Sequence, residues 1–411
     1  MTFSEPLSQY EEILKDAIRT SVKESGAKLA KTFQNLLIEI LTLYMILPRK
    51  INFTQMARYG RHGEQTYRQN FNRRKNGCVD WLLLNLSLAR RVLDMDGLLA
   101  IAIDPCYISK AGKKTPHIGR FRSGCAGAVK HGLEIMGIGL LDVANNKCMM
   151  LRAHQTLGNS ALKMRNKTLV EYYISVMKRY SKKLLSITDI VVADAFFSTS
   201  TFEKGMSELG FYLVSRFRDN ACLYYIPKRE KKRGRPRVKG DKIDLENLNL
   251  SCMEELHIKG LDGKAYTLEA YAKTLKNKVR LVIWQMPGGK CKLFFSTKRS
   301  MTGEEVLKTY RTRFQIEFSY RDSKQFTGLV DCQARHKRQL DFAFNASFAS
   351  LNAAKVFMKD NGMDNSMAKV KSLMFNANYT KLIFDMSRCR PNRTLISKIV
   401  KELIGWRPKT A

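Results

Sequence analysis

The sequence predicts a mixed α/β fold, in which a central sheet is flanked by helices. Short apolar segments between Gly97 and Phe217 alternate with segments of helical spacing. Their order is three strands, a helix, a strand, a helix and a strand, which requires a mixed sheet in a layered architecture. Helical segments precede this region, and further strands and helices follow it.

Length and charge limit the classes of function. The 411 residues are enough for two or three domains, and the 44% hydrophobic content is enough for their cores. Lys and Arg number 72 against 37 Asp and Glu, so the formal charge is +35. This excess favours a polyanionic partner, with nucleic acid ahead of an anionic membrane surface. The apolar run Leu36 to Leu47 is too short to span a bilayer and contains Glu39, so it predicts a buried helix.

The N-terminus and the cysteines predict the compartment. The first residues, MTFSEPLSQYEE, lack the basic and apolar regions of a signal peptide. The nine cysteines have no CxxC spacing and the six histidines do not cluster, so any metal would have oxygen ligands. We therefore expect reduced thiols and a cytosolic or nucleoid location, with no membrane partner.

The first ninety or so residues are predicted to be helical. Within them, residues 51–74 predict two short helices, Thr54 to Tyr59 and Glu64 to Phe71, joined by a turn around Gly60 and Gly63. Polar and basic side chains are expected along the second helix: Gln65, Tyr67, Arg68, Asn70 and Arg73. A helix-turn-helix that reads DNA and a helical hairpin that caps the core both fit this pattern.

Two aspartates are predicted to end buried strands. Asp104 follows the apolar run GLLAIAI, and Asp194 follows DIVVA. Carboxyl ends of strands in α/β sheets often carry functional groups, although an aspartate there can also start a turn. Between them the sequence predicts strands at 133–143 and 147–156, a turn at Asn145 and Asn146, and a helix over 160–180.

Residues 218–300 are predicted to form an inserted β-rich subdomain. Lys228 to Lys242 has nine basic residues in fifteen and cannot form a core. Its RGRPR sequence, with Arg233 and Arg235, suits either an A·T-rich minor groove or unspecific phosphate contact. Alternating segments on either side of Pro287 to Gly289 predict a hairpin.

A long helix is predicted to start at Thr302, which forms a capping box with Glu305. Further along it, Tyr310, Glu317 and Lys324 are seven residues apart, and Arg313 precedes the glutamate by four, so all four share one face. Ordinary ion pairing is the alternative. From Leu340 the chain is predicted to be helical and buried, either against the rest of the chain or in a dimer interface.

The three carboxylates Asp104, Asp194 and Glu317 suit hard cations such as Mg²⁺. Two such ions can stabilise the attacking and leaving oxygens of a phosphoryl transfer. Together with the positive charge, this predicts an enzyme that cuts or joins a nucleic-acid backbone.

The spacing of Tyr310, Arg313, Glu317 and Lys324 resembles the YREK signature of bacterial insertion-sequence transposases, and the resemblance extends over about residues 97–351. It implies an RNase H-like catalytic domain with a DDE triad, in which Asp104, Asp194 and Glu317 are catalytic and bind two Mg²⁺ ions, with Mn²⁺ as a substitute. Tyr310, Arg313 and Lys324, with Arg321 beside them, would contact DNA phosphates. Trp284 is the candidate ring for a flipped base at a hairpin intermediate.

The resemblance also implies the reaction and its partners. A metal-activated water would free the 3′ end of the transposon, and that 3′ hydroxyl would then attack target DNA. The partners would be double-stranded terminal inverted repeats and target DNA, bound by a homodimer in a synaptic complex. A regulator without turnover and a nuclease that does not join strands are the alternatives.

The predicted elements and the family resemblance together give the expected domain boundaries. We expect a helical DNA-binding region at 1–95, the catalytic domain at 96–217 and 301–345, the insertion at 218–300 and a helical region at 346–411.

Overall fold

The computed structural model describes residues 5–48, 50–73, 78–124, 126–227, 237–363 and 366–387. Arg233 and Arg235 lie outside these ranges. The helices are α1 Glu5–Ser25, α2 Lys31–Ile46, α3 Phe53–Tyr59, α4 Glu64–Asn70, α5 Trp81–Val92, α6 Asn159–Met164, α7 Leu169–Leu185, α8 Ser200–Glu208, α9 Gly303–Thr312, α10 Phe314–Phe326, α11 Lys337–Asp360 and α12 Met367–Ser387. The strands are β1 Leu99–Ser109, β2 Gly119–Ser123, β3 Ala128–Asp142, β4 Lys147–Gln155, β5 Ile190–Val192, β6 Tyr212–Arg216, β7 Leu223–Tyr225, β8 Glu254–Leu256, β9 Lys264–Ala272, β10 Asn277–Gln285 and β11 Cys291–Ser296.

The strands form one mixed sheet. Its order is β2-β3-β1-β5-β6-β11-β10-β9-β7, with β4 paired to β3 and β8 to β9. Strands β4, β3 and β1 pair antiparallel, whereas β1, β5 and β6 pair in parallel. This succession of five strands is the RNase H-like arrangement, and the predicted fold class is confirmed.

The strands that follow Phe217 extend the same sheet. Strand β11 pairs antiparallel with β6, and β10 and β9 continue outward from it. The predicted hairpin around Pro287 is confirmed as β10 and β11. Helix α9 packs on this part of the sheet, and α10 packs on β1 and β4. The region between Phe217 and Ser300 is therefore β-rich, and its strands continue the sheet that carries Asp104.

Strand β1 is longer than the sequence predicted. The expectation that it ends at Asp104 is wrong, because β3 pairs with β1 along its whole length, from Leu99 to Ser109. On the other side, β5 pairs with β1 only at Ile101 and Ala102. The strand accommodates Pro105 because one of its edges is unpaired beyond that point. Asp104 thus lies in the middle of a strand, just past the parallel pairing.

Two predicted helices are each divided in two. The helix predicted over 160–180 is interrupted before α7, which begins with a capping box formed by Thr168 and Glu171. The helix predicted from Thr302 has the expected capping box with Glu305, but it is divided at Arg313 into α9 and α10.

Helix α11 is buried at the centre of the helical part of the molecule. It packs against α1, α2, α5 and α12 and against the edge strand β4. Two of its asparagines satisfy the backbone of β4: Asn345 pairs with the N–H and C=O of Ala153, and Asn352 pairs with those of Met150. An unpaired strand edge would otherwise expose these groups. Packing against the rest of the chain therefore explains the apolar character of α11.

The two short N-terminal helices are confirmed as α3 and α4. Glu39 of α2 accepts hydrogen bonds from the Arg61 N–H, in the turn between them, and from the Tyr67 hydroxyl of α4. A Cβ atom on Gly60 would lie 2.1 Å from that hydroxyl, so the turn requires glycine. Tyr67 is expected among the polar and basic side chains that suit DNA, but it is fully buried and cannot meet a ligand at the surface. Among the described residues, no helix is both long and apolar enough to cross a bilayer.

Candidate active site

Asp104 is held in place by its backbone. Its side chain is 18% exposed, and its carbonyl oxygen accepts a hydrogen bond of 2.6 Å from the Tyr320 hydroxyl of α10. The residue opposite Asp104 in β3 is Gly137. A Cβ atom at Gly137 would lie 2.0 Å from the Tyr320 hydroxyl oxygen, so only glycine leaves room for this contact.

We expect Gly137→Ala to displace Tyr320 and to destabilise the protein by about 2 kcal/mol, because it overpacks the core and breaks the hydrogen bond from Tyr320 to the Asp104 carbonyl. The urea midpoint of unfolding measures the loss. Gly124→Ala is the matched control, since a Cβ atom there meets no heavy atom within 4 Å. Equal midpoints for the two variants would show that Tyr320 does not depend on Gly137.

Asp194 lies two residues beyond β5, because the strand ends at Val192 and not at the aspartate as predicted. It caps a single 3₁₀ turn, Ala195–Phe197, where its side chain accepts from the Phe196 N–H at 3.1 Å. Its carbonyl oxygen accepts from the Ser215 hydroxyl of β6 at 2.9 Å. The neighbouring strand therefore fixes the loop that carries this carboxylate.

Arg313 joins two of the predicted acids. Its side chain is 6% exposed at the junction of α9 and α10. One terminal nitrogen lies 3.5 Å from a carboxylate oxygen of Asp104, and the other donates to Glu317 at 2.8 Å. Because Asp104 is on β1 and Glu317 on α10, the guanidinium group links the sheet to the helix above it.

Electrostatic coupling brings Asp194 into the same cluster. Burial raises the pKa of Asp104 to about 7; Arg313 acts against this shift, while Asp194 and Glu317 add to it. Burial also raises the pKa of Asp194, again opposed by Arg313 and supported by Glu317. The three acids predicted from sequence therefore act on one another in the folded protein.

Arg216 is a second cation of this cluster, and the sequence reasoning missed it. It is the last residue of β6, and its charge opposes the burial that raises the pKa of Asp194 and of Tyr310. Its Nε is buried and has no hydrogen-bond partner among the described residues. A basic residue at the end of the strand beside β5 was the available signal.

The other predicted residues of α9 and α10 differ in their surroundings. Tyr310 is buried, and the Arg313 guanidinium lies 5.6 Å from its ring centre. Lys324 is partly exposed and has no ion pair or hydrogen bond with another described residue. Arg321 is exposed and donates to Asp322, which lies on its own helix. The structure thus brings Tyr310 and Arg313 to the acids, whereas Arg321 is engaged elsewhere.

Trp284 belongs to a row of aromatic rings that leads to Arg313. Its ring stacks on Phe294, with centroids 6.4 Å apart, and Phe294 lies 5.0 Å from Tyr310. The indole N–H donates to the Asp262 carbonyl at 2.7 Å. The ring is partly exposed, and the Lys292 ammonium lies 5.2 Å from its centre.

Two of the predicted DNA-binding residues lie in and just after α4. Arg68 pairs with Glu64 and lies over the ring of Phe53. Arg73 donates to Asn70 at 2.6 Å and lies over the ring of Phe33. No residue of the predicted acid cluster is among these partners.

The donor types of the cluster suit a hard divalent cation, because they are carboxylate oxygens without histidine or cysteine. Their present arrangement does not yet form such a site, since within the described ranges no three His, Cys, Asp or Glu side chains are placed to hold a metal ion. The Arg313 guanidinium interacts with both Asp104 and Glu317. Its positive charge therefore compensates the negative charges of these two carboxylates.

A family model described as DDE superfamily endonuclease matches residues 28–259, more than half of the chain. The chain belongs to this family. Membership places the protein in the class of nucleases and transposases, and it implies that the substrate is DNA. The matched range contains Asp104 and Asp194 of this DDE endonuclease and ends before Glu317. A comparison with curated proteins found no match.

Proposed function

We propose that this DDE endonuclease is a DNA transposase, which cleaves at transposon ends and transfers the 3′ hydroxyl into target DNA. The observation that supports it best is the convergence of three acids from separate elements around Arg313. Asp104 and Asp194 lie within the family match, and Glu317 joins them through its contact with Arg313.

Asp104, Asp194 and Glu317 are the proposed ligands of two Mg²⁺ ions, for which Mn²⁺ can substitute. When bound, two such ions stabilise the attacking and leaving oxygens of a phosphoryl displacement. Metal ions held by Asp104 and Glu317 would free Arg313 from these two acids, and a free guanidinium group can donate two parallel hydrogen bonds to a phosphate oxygen pair. We assign Arg313 and Arg216 to the phosphates next to the scissile bond.

The residues around the acids have proposed roles in holding DNA. Tyr310 supports Arg313 through its ring, while Lys324 and Arg321 extend the positive surface along α10. Trp284 is proposed to stack an unpaired base, because an exposed part of its ring continues an aromatic row from the site.

DNA outside the active site would meet other basic residues of the chain. Arg68, Arg73, Arg233 and Arg235 are proposed to contact the backbone of the transposon ends. We propose that a homodimer pairs two such ends, because strand transfer of an element requires both.

Incubation of the full-length protein with duplexes that carry its terminal inverted repeats tests this function. With Mg²⁺ we expect cleavage at the repeat and products joined to target DNA, and with EDTA we expect neither. Cleavage without joined product would indicate a nuclease, and binding without either product would indicate a regulator. Short inverted repeats in the DNA that flanks the coding sequence are the substrate to use.

A further inference from the structure

A second candidate site is a basic cavity of about 420 Å³ between α7, α11 and the edge strand β4. It lies on the opposite face of the sheet from Asp104. His154 and Arg152 are paired with Met136 and Ile138, which flank Gly137, the partner of Asp104. Side chains of successive residues in a strand point to opposite faces, so the two sites do not share a surface.

The floor of the cavity holds two buried polar groups without partners. Arg152 donates from one terminal nitrogen to both oxygens of Asp341, at 2.7 and 2.9 Å, and from Nε to Tyr180. Its other terminal nitrogen is buried and has no hydrogen-bond partner in the described structure. The Nδ1 of His154, a residue that is 9% exposed, is likewise unpaired there. Buried polar groups without partners are destabilising, and a ligand that accepts from them removes this penalty.

The walls of the cavity are strongly basic. Among the described lining residues, Asp341 is the one acidic residue, and it already forms an ion pair with Arg152. The basic lining residues are Arg73, Arg152, Arg165, Arg179, Lys337 and Arg338. Burial and the charges of Arg152, Arg179 and Lys337 lower the pKa of His154 to about 3, so this imidazole is neutral and can hydrogen-bond without adding charge.

We propose that this cavity binds a phosphate group, and that in the protein–DNA complex the phosphate belongs to the backbone of duplex DNA. The free terminal nitrogen of Arg152 and the His154 ring supply donors at the floor, while Arg179 and Lys337 neutralise the charge from two walls. The identity of the phosphate source rests on the proposed function. The second face would allow the protein to hold DNA away from the scissile bond.

Removal of the two wall cations tests the site without disturbing the floor. Arg179→Gln/Lys337→Gln changes two exposed side chains, and Lys178→Gln/Lys182→Gln removes the same charge from exposed positions of α7 outside the cavity. We measure affinity of the full-length proteins for a short duplex of arbitrary sequence over a salt series. The cavity variant is expected to bind at least tenfold more weakly, with a salt slope shallower by about one. The control is expected to change by less than about threefold, because it removes no phosphate contact.

Inorganic phosphate serves as the probe that separates two possible ligands of the cavity, the DNA backbone and a free phosphate compound. It should raise the thermal unfolding midpoint of the parent and the control above that in chloride of equal ionic strength, and should not do so for the cavity variant. Stabilisation through the cavity together with unchanged DNA affinity would overturn the assignment to DNA and favour a free phosphate compound. Equal losses of DNA affinity in the cavity and control variants, or no effect of phosphate, would overturn the site.

Failure of this inference is separable from failure of the proposed function. At saturating DNA and Mg²⁺, the Lys178→Gln/Lys182→Gln control should cleave transposon ends within about threefold of the parent rate, since it touches neither the acids nor the cavity. If the parent protein cleaves normally and the cavity variant binds DNA normally, only the cavity assignment is wrong.

Discussion

Asp104→Asn should reduce the rate of Mg²⁺-dependent DNA cleavage by about 1000-fold or more, which corresponds to a loss of roughly 4 kcal/mol in transition-state stabilisation. The substitution keeps the size of the side chain and leaves the backbone bond from Tyr320 in place. It removes one negative charge from the cluster that includes Glu317. Single-turnover cleavage of a transposon-end duplex at saturating protein measures this effect.

Stability should respond differently from activity. Burial raises the pKa of Asp104 to about 7, above its value near 4 in the unfolded chain. Its stabilising contribution is therefore complete below about pH 4 and is lost as the pH rises through about 7. Without metal at pH 8, the Asn variant should unfold at a temperature equal to or above that of the parent.

Asp189→Asn is the matched control for this prediction. Asp189 precedes β5 and pairs with Lys298 on the surface, at 2.8 Å, outside the acid cluster. We expect its cleavage rate to stay within about threefold of the parent, because an exposed pair contributes at most about 1 kcal/mol. Normal cleavage by Asp104→Asn, or an equal loss in both variants, would contradict the assignment of Asp104.

The largest effect on stability is expected at the asparagines of α11. Asn352→Leu removes the partner of the Met150 N–H and C=O and of the Asn85 side chain, all of them buried. Leaving such groups unsatisfied should destabilise the protein by about 3 kcal/mol. Asn345→Leu should have a similar effect through Ala153, and the double variant should approach the whole stability of a typical fold, about 5 to 15 kcal/mol.

Urea titration with far-ultraviolet circular dichroism measures these losses as shifts of the unfolding midpoint. Asn159→Leu, at an exposed position of α6, is the control and should change stability by less than about 0.5 kcal/mol. If the α11 variants unfold at the parent's urea concentration, the amide groups do not hold the edge of β4.

Local patterns of the sequence predicted much of the fold. The capping box of Thr302 and Glu305, the hairpin around Pro287 and the helices α3 and α4 depend on residues close in sequence, so their signals are readable. The full length of β1 was not readable, because β3 determines it from a distant part of the chain. The division of the long helix at Arg313 likewise lacks a local breaker such as proline or glycine.

The candidate site divides in the same way. Asp104, Asp194 and Glu317 could be chosen as candidates because each follows or lies in an element with a clear pattern, although the predicted strand ends at the two aspartates were wrong. The anchoring of Asp104 by Tyr320 over Gly137, and the approach of Arg216 to Asp194, depend on strand order and helix packing. The roles of Asn345 and Asn352 depend on β4, the strand that faces α11, and the sequence of the helix alone does not indicate them.

The most direct test of the central claim, that the three acids together bind the metal of catalysis, is a change of metal preference. Asp104→Cys, Asp194→Cys and Glu317→Cys each replace a carboxylate by a softer thiolate, which favours Mn²⁺ over Mg²⁺. We expect each variant to lose cleavage in Mg²⁺ and to regain a measurable part of it in Mn²⁺, while Glu304→Cys, at an exposed position of α9, cleaves normally in both. Cleavage in Mg²⁺ by any of the three, or no recovery in Mn²⁺ by all of them, would contradict the account.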